Sequence, residues 1–310
     1  ATRAKATACD DSFYKTLPPM PKMSTVAARA RRAAFDKRAS KQAPSLPELL
    51  AAPSRLDVAA VAQHPRVTAI LNIWERKTLC RQLDALRSQT VQPALIWVCV
   101  FGPSPIGDAV AELVTSYNDS RITLLRSASN LKYYGRFQMA RSVPTEYFMV
   151  IDDDMIPGSR WIELLLHVAQ LREPIARGLL GAIGWLLPKP QPGLVFSSYR
   201  DHKVGGLYVP DVAYNLSVDR LLEVDYLCSL WFGESAWLRL LFREQPATYA
   251  TGEDFHLSNM LRKYVGLGSF VLPTLASDDT MRGDTDHRLA YARYSTGGAH
   301  TIQLRDDLWW

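Results

Sequence analysis

Three consecutive aspartates, Asp152 to Asp154, directly follow the apolar run YFMVI and precede a Pro-Gly pair. Neighbouring carboxylates repel one another, so such a cluster requires water, backbone N–H groups or a cation to compensate its charge. One aspartate would suffice to cap the helix expected next, whereas three in a row favour a hard divalent cation such as Mn²⁺ or Mg²⁺. The residues therefore predict a metal site with positions open for phosphate oxygens, and a polar helix cap is the alternative.

The segments before the aspartates alternate between strand-like and helix-like patterns. Strands are predicted for RVTAILNIW, PALIWVCVFG, RITLLRS and EYFMVI, and helices for KTLCRQLDALRSQ, IGDAVAELVTSY and KYYGRFQMARSV. Repeated strand–helix–strand units give a mainly parallel sheet, in which ligands lie beyond the carboxyl ends of the strands. We therefore expect the aspartates, the ERK after the first strand and the SASN after the third strand to converge on one crevice.

The second half of the chain is less regular. Helices are predicted for GSRWIELLLHVAQLR, SAWLRLLF and TGEDFHLSNMLRKY, and strands for GLLGAIGWLL, VDYLCSLWFG and GSFVLPT. Residues 188–220 are rich in Pro, Gly, Tyr and Ser, which favours long loops and short antiparallel strands. The predicted fold class is α/β, with a mainly parallel central sheet flanked by helices and a smaller antiparallel portion.

Composition divides the chain into an N-terminal segment and a folded domain. Residues 1–60 are basic, rich in Ala and broken by prolines, which predicts a stem or linker with one helix near 23–41. Residues 61–310 form the expected single domain. The chain contains no run of 18 apolar residues, and its four cysteines form no CxxC, which argues against a zinc site and a disulfide framework.

Residues 67–275 resemble GT-A-fold glycosyltransferases. VTAILNIWERK through WVCVFG looks like the opening strand–helix–strand of family-two glycosyltransferases, and SNLKYYGRFQMARSVPTEYFMVIDDDMIPG looks like their second block. The latter is also similar to the exostosin-like glycosyltransferase domain, in which Asn-Arg-Phe precedes three aspartates. WFGESAWLRLLF followed by TGEDFHLSNML looks like the acceptor-side segments. One departure is CVFG, which stands where the family-two pattern usually has an Asp pair.

The resemblance implies a metal-dependent glycosyltransferase, with a nucleotide-binding half at 61–157 and an acceptor-binding half at 158–310. It would move a hexosyl or pentosyl group from a nucleotide sugar, first of all a UDP-sugar, to a hydroxyl of a glycan, glycoprotein or glycolipid. Mn²⁺ or Mg²⁺ would be the cofactor. The implied donor-side residues are Asp154 as metal ligand, Asp152 for ribose or metal, Asp153 for the sugar, and Arg76, Asn130 and Arg136 for the nucleotide. A helix-surface role for Arg136 and a turn role for Asn130 are the alternatives.

Glu253 and Asp254 open the predicted TGED helix. By the same resemblance Asp254 would be the general base that takes the acceptor proton, with Glu253 orienting it; a helix N-terminal charge is the alternative. His287, or else His300, would complete the metal shell. Trp231 and Tyr249 are among the aromatic residues that could stack on a sugar face, although aromatic residues at such spacings more often lie in the core.

Several other readings compete with the glycosyltransferase. A nucleotidyltransferase normally shows a glycine-rich loop after its first strand, and LNIWERKTL has no glycine. A phosphatase of the haloacid-dehalogenase type normally has Thr or Val two residues past the second Asp, whereas Met155, Ile156 and Pro157 follow the aspartates here. A catalytically inactive sugar- or nucleotide-binding module is less consistent with an intact acidic triplet. We expect no nucleic-acid partner, and a location in the Golgi lumen as a type II membrane protein whose anchor this chain lacks; the cytoplasm is the alternative.

Overall fold

The computed structural model describes residues 43–74, 76–186, 203–205, 218–275 and 277–283. In the first half, strands alternate with helices as predicted. The elements are α1 (Leu46–Ala51), α2 (Val58–Gln63), β1 (Val67–Asn72), α3 (Leu79–Arg87), β2 (Leu95–Phe101), α4 (Gly107–Tyr117), β3 (Ile122–Ser127), α5 (Lys132–Ala140) and β4 (Tyr147–Asp152).

The second half contains shorter strands and two long helical segments. Its elements are α6 (Trp161–Ala169), β5 (Gly178–Gly181), β6 (Ile183–Trp185), β7 (Lys203–Gly205), β8 (Leu222–Val224), β9 (Tyr226–Cys228), β10 (Leu230–Glu234), a 3₁₀ helix (Ser235–Leu240), α7 (Glu253–Val265) and β11 (Gly268–Val271).

Eight of these strands form a central sheet in the order β3-β2-β1-β4-β10-β5-β11-β8. The first four pair in parallel, β10 runs antiparallel between β4 and β5, β11 is parallel to β5, and β8 is antiparallel at the edge. A separate antiparallel sheet has the order β7-β6-β9. This strand order confirms the predicted fold class, a mainly parallel α/β sheet with a smaller antiparallel portion.

Apolar side chains at the predicted spacings form the core. Every residue of β1 and β4 except the last is buried, as is usual for central strands of a parallel sheet. Leu79, Leu83 and Leu86 of α3 are all buried, as their helical spacing predicts. The sheet register then places Asn72, at the end of β1, beside Asp152, at the end of β4. The carboxyl ends of the parallel strands therefore meet at one edge, with the aspartates on it.

Two predicted strands of the second half are divided in the structure. GLLGAIGWLL forms β5 and β6, which belong to different sheets, and VDYLCSLWFG contributes to β8, β9 and β10. Ser229 has a φ of 68°, a left-handed conformation that ends β9 and starts β10. SAWLRLLF is a 3₁₀ helix rather than an α-helix. The division arises because each segment leaves one sheet and enters the other.

Residues 43–60, which the sequence assigns to the stem, contact the domain. Leu46 and Leu49 are completely buried, and Leu49 O lies 2.9 Å from His167 Nε2. The Leu221 N–H donates to Pro44 O over 2.8 Å. We therefore propose that the folded unit begins near residue 43 rather than 61. Residues 1–42, with the predicted helix at 23–41, lie outside the described residues.

The expected type II membrane location in the Golgi lumen requires a correction. Across the part of the chain that the structure describes, none of the helices has the length and apolar character needed to cross a bilayer. The expected location as a type II membrane protein is therefore not supported by the described residues.

The cysteines differ in one respect from the sequence-based expectation. Cys80 is disulfide-bonded, and its partner lies outside the described residues. Cys99 and Cys228 are buried and not disulfide-bonded, and burial raises the pKa of Cys99 to about 12. A thiol with such a pKa stays protonated and unreactive at neutral pH.

Candidate functional site

The three aspartates form an acidic loop at the carboxyl end of β4. Asp152 is the last residue of the strand, and Asp153 and Asp154 form the turn that follows. Their side chains are 24%, 18% and 14% exposed, respectively. They therefore lie partly exposed at the carboxyl edge of the sheet, where ligands of such folds bind.

Arg76 lies against the second and third aspartates. Its Nη1 is 2.6 Å from Asp153 Oδ1 and 2.9 Å from Asp154 Oδ2, and the residue is 6% exposed. Burial lowers the pKa of Arg76, but the charges of the three aspartates raise it above its ordinary value. Arg76, which the sequence assigns to nucleotide binding, is thus paired with the acidic loop in a partly buried ion pair.

Arg136 connects the acidic loop to α7. Its Nη1 donates to Asp152 Oδ1, and its Nη2 donates to Glu253 Oε1 over 2.6 Å. The guanidinium carbon lies 4.5 Å from the centroid of the Trp231 ring, a cation–π contact. Arg136 is only 4% exposed, so it is not a helix-surface arginine. Trp231 is fully buried beneath it and is a core residue rather than a sugar-stacking one.

The carboxylates that the two arginines contact outnumber them. Asp152, Asp153, Asp154 and Glu253 carry four negative charges when ionised, and Arg76 and Arg136 carry two positive ones. Burial raises the pKa of Asp152 and of Asp153 above the usual range; the arginines oppose this shift, and the neighbouring carboxylates add to it. Counted with all four carboxylates ionised, the cluster has a formal excess of two negative charges.

This excess, and one carboxylate oxygen in particular, fit a divalent cation. Asp154 Oδ1 is buried and accepts no hydrogen bond within the described residues. A buried carboxylate oxygen without a partner is costly, and a hard cation is a suitable partner for it. However, no group of three or more His, Cys, Asp and Glu is arranged as a metal cage in the described part of the chain. The predicted ligand His287, like His300, lies outside the described residues.

The predicted catalytic acids begin α7. Gly252 precedes the helix with a φ of 82°, which favours glycine, and Glu253 and Asp254 form the first turn. Glu253 is fully buried in its ion pair with Arg136. Asp254 is 2% exposed, and its Oδ1 accepts a hydrogen bond from the Phe255 N–H over 2.8 Å. The first turn of α7 is therefore joined to the acidic loop through Glu253, with Asp254 as its immediate neighbour.

Two residues of the α3 region hold the backbone of the acidic loop, and neither was predicted from the sequence. The Thr78 hydroxyl donates to Asp153 O. Gln82 Nε2 donates to Asp152 O over 2.7 Å and to Met155 O over 2.9 Å, and both side chains are fully buried. The available signal was Gln82 itself, a polar residue between Leu79 and Leu83 on the apolar side of a helix.

Asn130 lies in a different place from the aspartates. Its Oδ1 accepts a hydrogen bond from the Lys132 N–H over 2.8 Å, which supports the turn role, and it lines a cavity together with Tyr249. None of the three aspartates lines this cavity. The structure therefore brings Arg76, Arg136, the aspartates and Glu253 into one network of contacts, and places Asn130 outside it.

Comparisons with known proteins give only distant likenesses. No protein-family model matches the chain. A search of curated proteins finds no significant match either.

Three solved structures are similar to this chain at low sequence identity. A mannosyltransferase from Pyrobaculum calidifontis, PcManGT in complex with GDP-Man and Mn²⁺, is 13% identical over 81% of this chain and 64% of its own, with a TM-score of 0.45. The 4-diphosphocytidyl-2C-methyl-D-erythritol synthase from Anaerococcus prevotii is 14% identical over 75% of this chain and 98% of its own, with a TM-score of 0.42. S. aureus TarS 1-349 is 11% identical over 67% of this chain and 60% of its own, with a TM-score of 0.40. This chain thus spans less than two thirds of the mannosyltransferase, and the fold class rests on the strand order.

Proposed function

We propose that this protein is a GT-A-type glycosyltransferase that moves a sugar from a nucleotide sugar to an acceptor hydroxyl with the help of Mn²⁺ or Mg²⁺. The observation that carries the proposal is the formal excess of two negative charges at the carboxyl end of β4. In a mainly parallel sheet this edge is where ligands bind. An acidic loop there suits a divalent cation and the diphosphate that accompanies it.

Asp154 and Asp152 would hold the cation. Asp154 contributes the buried Oδ1 atom, which accepts no hydrogen bond from the described residues, and Asp152 contributes a carboxylate 24% exposed at the strand end. A cation bound there would supply positive charge against the negative charge that develops on a departing nucleoside diphosphate. Asp153, bound by Arg76, would lie beside the donor sugar.

The two arginines would act mainly on the acidic loop. Arg76 and Arg136 each bind two carboxylates and are 6% and 4% exposed, respectively. They keep the carboxylates in fixed orientations and offset part of their mutual repulsion, so the loop is ordered before a donor arrives. Asp254 would take the proton from the acceptor hydroxyl, and the Arg136–Glu253 ion pair would fix the helix turn that carries it.

Calorimetry with nucleotides tests the proposal. Wild-type protein is titrated with UDP, GDP and CDP, each with and without Mn²⁺, and so are Asp154→Asn and the control Asp108→Asn, whose carboxylate is 94% exposed on α4. We expect Mn²⁺-dependent binding of one nucleotide to wild type and to the control, and its loss in Asp154→Asn. Unchanged affinity in Asp154→Asn would remove the site from the acidic loop.

A second assay separates the reaction classes. The matching nucleotide sugars are incubated with the enzyme and Mn²⁺, and the release of the nucleotide is followed. A glycosyltransferase slowly hydrolyses its nucleotide sugar, with water in place of the acceptor, and releases nucleoside diphosphate. A nucleotidyltransferase supplied with nucleoside triphosphate releases pyrophosphate instead. Nucleotide binding without either release would indicate an inactive binding module.

A further inference from the structure

The cavity that Asn130 and Tyr249 line lies against α5, between its N-terminal half and the segment 242–250 that leads to α7. Its volume is about 630 Å³. Small-molecule sites in proteins occupy roughly 300–1,000 Å³, so the cavity is large enough for a ligand.

Aromatic rings form the floor of the cavity. Tyr134 packs edge-on against Tyr249 with ring centroids 5.4 Å apart, and stacks on Phe242 at 6.1 Å. Tyr134 is buried, whereas Tyr249 is 54% exposed. An exposed tyrosine supported by two further rings presents a rigid apolar face to solvent, at a position that packing alone does not require.

The rim of the cavity is polar and carries no negative charge. It includes the amides of Asn130 and Gln138, the hydroxyl of Thr248 and the ammonium of Lys132. No carboxylate is present among the described residues that line the cavity. Amides and hydroxyls both donate and accept hydrogen bonds, so the rim suits a ligand with several hydroxyl groups.

Helix α5 separates this cavity from the acidic loop. Tyr134 and Gln138 face the cavity, and Arg136 faces Asp152 and Glu253. At 3.6 residues per turn, Arg136 points about 200° away from Tyr134. The two sites nevertheless share a chain segment, because Tyr249 and Ala250 on the cavity wall lie only a few residues before Glu253.

We propose that the cavity binds a sugar residue of the acceptor glycan at a distance from the reacting hydroxyl. The C–H face of the sugar ring would stack on Tyr249, and its hydroxyls would bond to the amides of Asn130 and Gln138. A sugar ring combines one apolar face with a rim of hydroxyls, which matches a wall of this composition. The proposal rests on the glycosyltransferase function, since it assumes a glycan acceptor. It assigns the acceptor a second contact across α5 from the acidic loop.

Direct binding of defined oligosaccharides tests the assignment. Hexasaccharides of glucose, mannose, xylose and galacturonic acid are titrated into wild type, Tyr249→Ala, Gln138→Ala and the control Tyr264→Ala by calorimetry and saturation-transfer NMR. Tyr264 is a similarly exposed tyrosine, 38% exposed, on α7. We expect at least one hexasaccharide to bind wild type and the control, and its affinity to fall about fivefold in Tyr249→Ala, since one stacking contact contributes on the order of 1 kcal/mol.

Three results would overturn the assignment. They are the absence of binding by all four hexasaccharides, equal affinity in wild type and Tyr249→Ala, and loss of Mn²⁺-dependent nucleotide binding in Tyr249→Ala, which would make the cavity a nucleotide site.

The nucleotide titrations distinguish the two proposals. Glycan binding at Tyr249 by a protein that binds no nucleotide would refute the proposed transferase and leave the cavity as a glycan-binding site that is not an acceptor subsite. Nucleotide binding without glycan binding would refute the cavity assignment and leave the proposed transferase standing.

Discussion

Arg136 and Glu253 lie 117 positions apart in the sequence, yet Nη2 of the arginine donates to Oε1 of the glutamate over 2.6 Å in the protein interior. The same guanidinium donates to Asp152 and lies over the Trp231 ring. One side chain therefore fixes the first turn of α7 relative to the end of β4. The proposed base, Asp254, follows Glu253 directly, so its position depends on this ion pair.

Replacing Arg136 by Met should destabilise the protein strongly. The change leaves Asp152 and the fully buried Glu253 without their shared cation, and breaking a buried ion pair costs about 3–5 kcal/mol. The free energy of unfolding, measured by urea denaturation, should fall by that amount. The double variant Arg136→Met/Glu253→Gln should recover part of the loss, because it removes one buried charge.

The matched control is Arg126→Met. Arg126 pairs with Asp108 at 3.4 Å on the surface, where both side chains are more than half exposed, and such pairs contribute less than about 1 kcal/mol. A loss in Arg136→Met no larger than in this control would show that the ion pair contributes nothing to stability.

Gln82 should determine how well the acidic loop binds its cation. Gln82→Met removes the hydrogen bond to Asp152 O in the acidic loop and the one to Met155 O directly after it, while filling a similar volume. Residues that orient metal ligands typically alter affinity about 10–100-fold, so Mn²⁺-dependent nucleotide affinity should fall within that range. Calorimetry with the nucleotide that binds wild type measures the change.

Gln89 provides the control for this prediction. It is also a buried glutamine, just past the end of α3, and its Nε2 donates to Gly158 O over 2.6 Å, outside the acidic loop. Gln89→Met should lower stability without changing nucleotide affinity. Gln82 Oε1 is buried and has no hydrogen-bond partner among the described residues, so Gln82→Met should cost less stability than Gln89→Met. Equal nucleotide affinities in the two variants would refute a positioning role for Gln82.

The first half of the fold could be predicted because its signals are local. β1, β2 and β4 are largely apolar runs, and the leucines of α3 recur at helical spacing, so burial on each of these elements is visible in its own sequence. In the second half the prediction was wrong where tertiary context decides which sheet a segment joins. GLLGAIGWLL has no internal mark showing that β5 joins one sheet and β6 the other.

The candidate site was predicted in its acidic loop but not in its pairings. A strand running directly into three aspartates is visible in the sequence, whereas contacts across 77 and 117 positions, as for Arg76–Asp153 and Arg136–Glu253, are not. Asn130 follows β3 as predicted, yet it faces the cavity on the other side of α5. A loop can pack against either face of a neighbouring helix, and the sequence alone does not show which face is used.

Leu49 should be essential to the domain, although the sequence places it in a stem. It is completely buried, and Leu→Ala in a core costs about 2–5 kcal/mol. Leu50, the next residue on α1, is 37% exposed and supplies the control, since Leu50→Ala should change stability by less than about 1 kcal/mol. Thermal unfolding of both variants measures the difference.

Truncation addresses the same boundary. A chain starting at residue 43 should fold like the full chain, whereas one starting at residue 56 loses α1 and should be destabilised or fail to fold. Equal stability of the two truncated proteins would return residues 43–55 to the stem.

Asp254→Asn should lower turnover by about 10²–10⁴ while leaving donor affinity and stability nearly unchanged. The substitution keeps the size of the side chain and its acceptor oxygen for the Phe255 N–H, but it removes the proton acceptor, and general base catalysis typically contributes that factor. Turnover is measured with the donor and acceptor found by the titrations, and donor affinity by calorimetry. Asp108→Asn removes another first-turn carboxylate, that of α4, and controls for the effect of charge on a helix end. If Asp254→Asn turns over at the wild-type rate, Asp254 contributes only a helix-end charge, and the base must be sought elsewhere in the crevice.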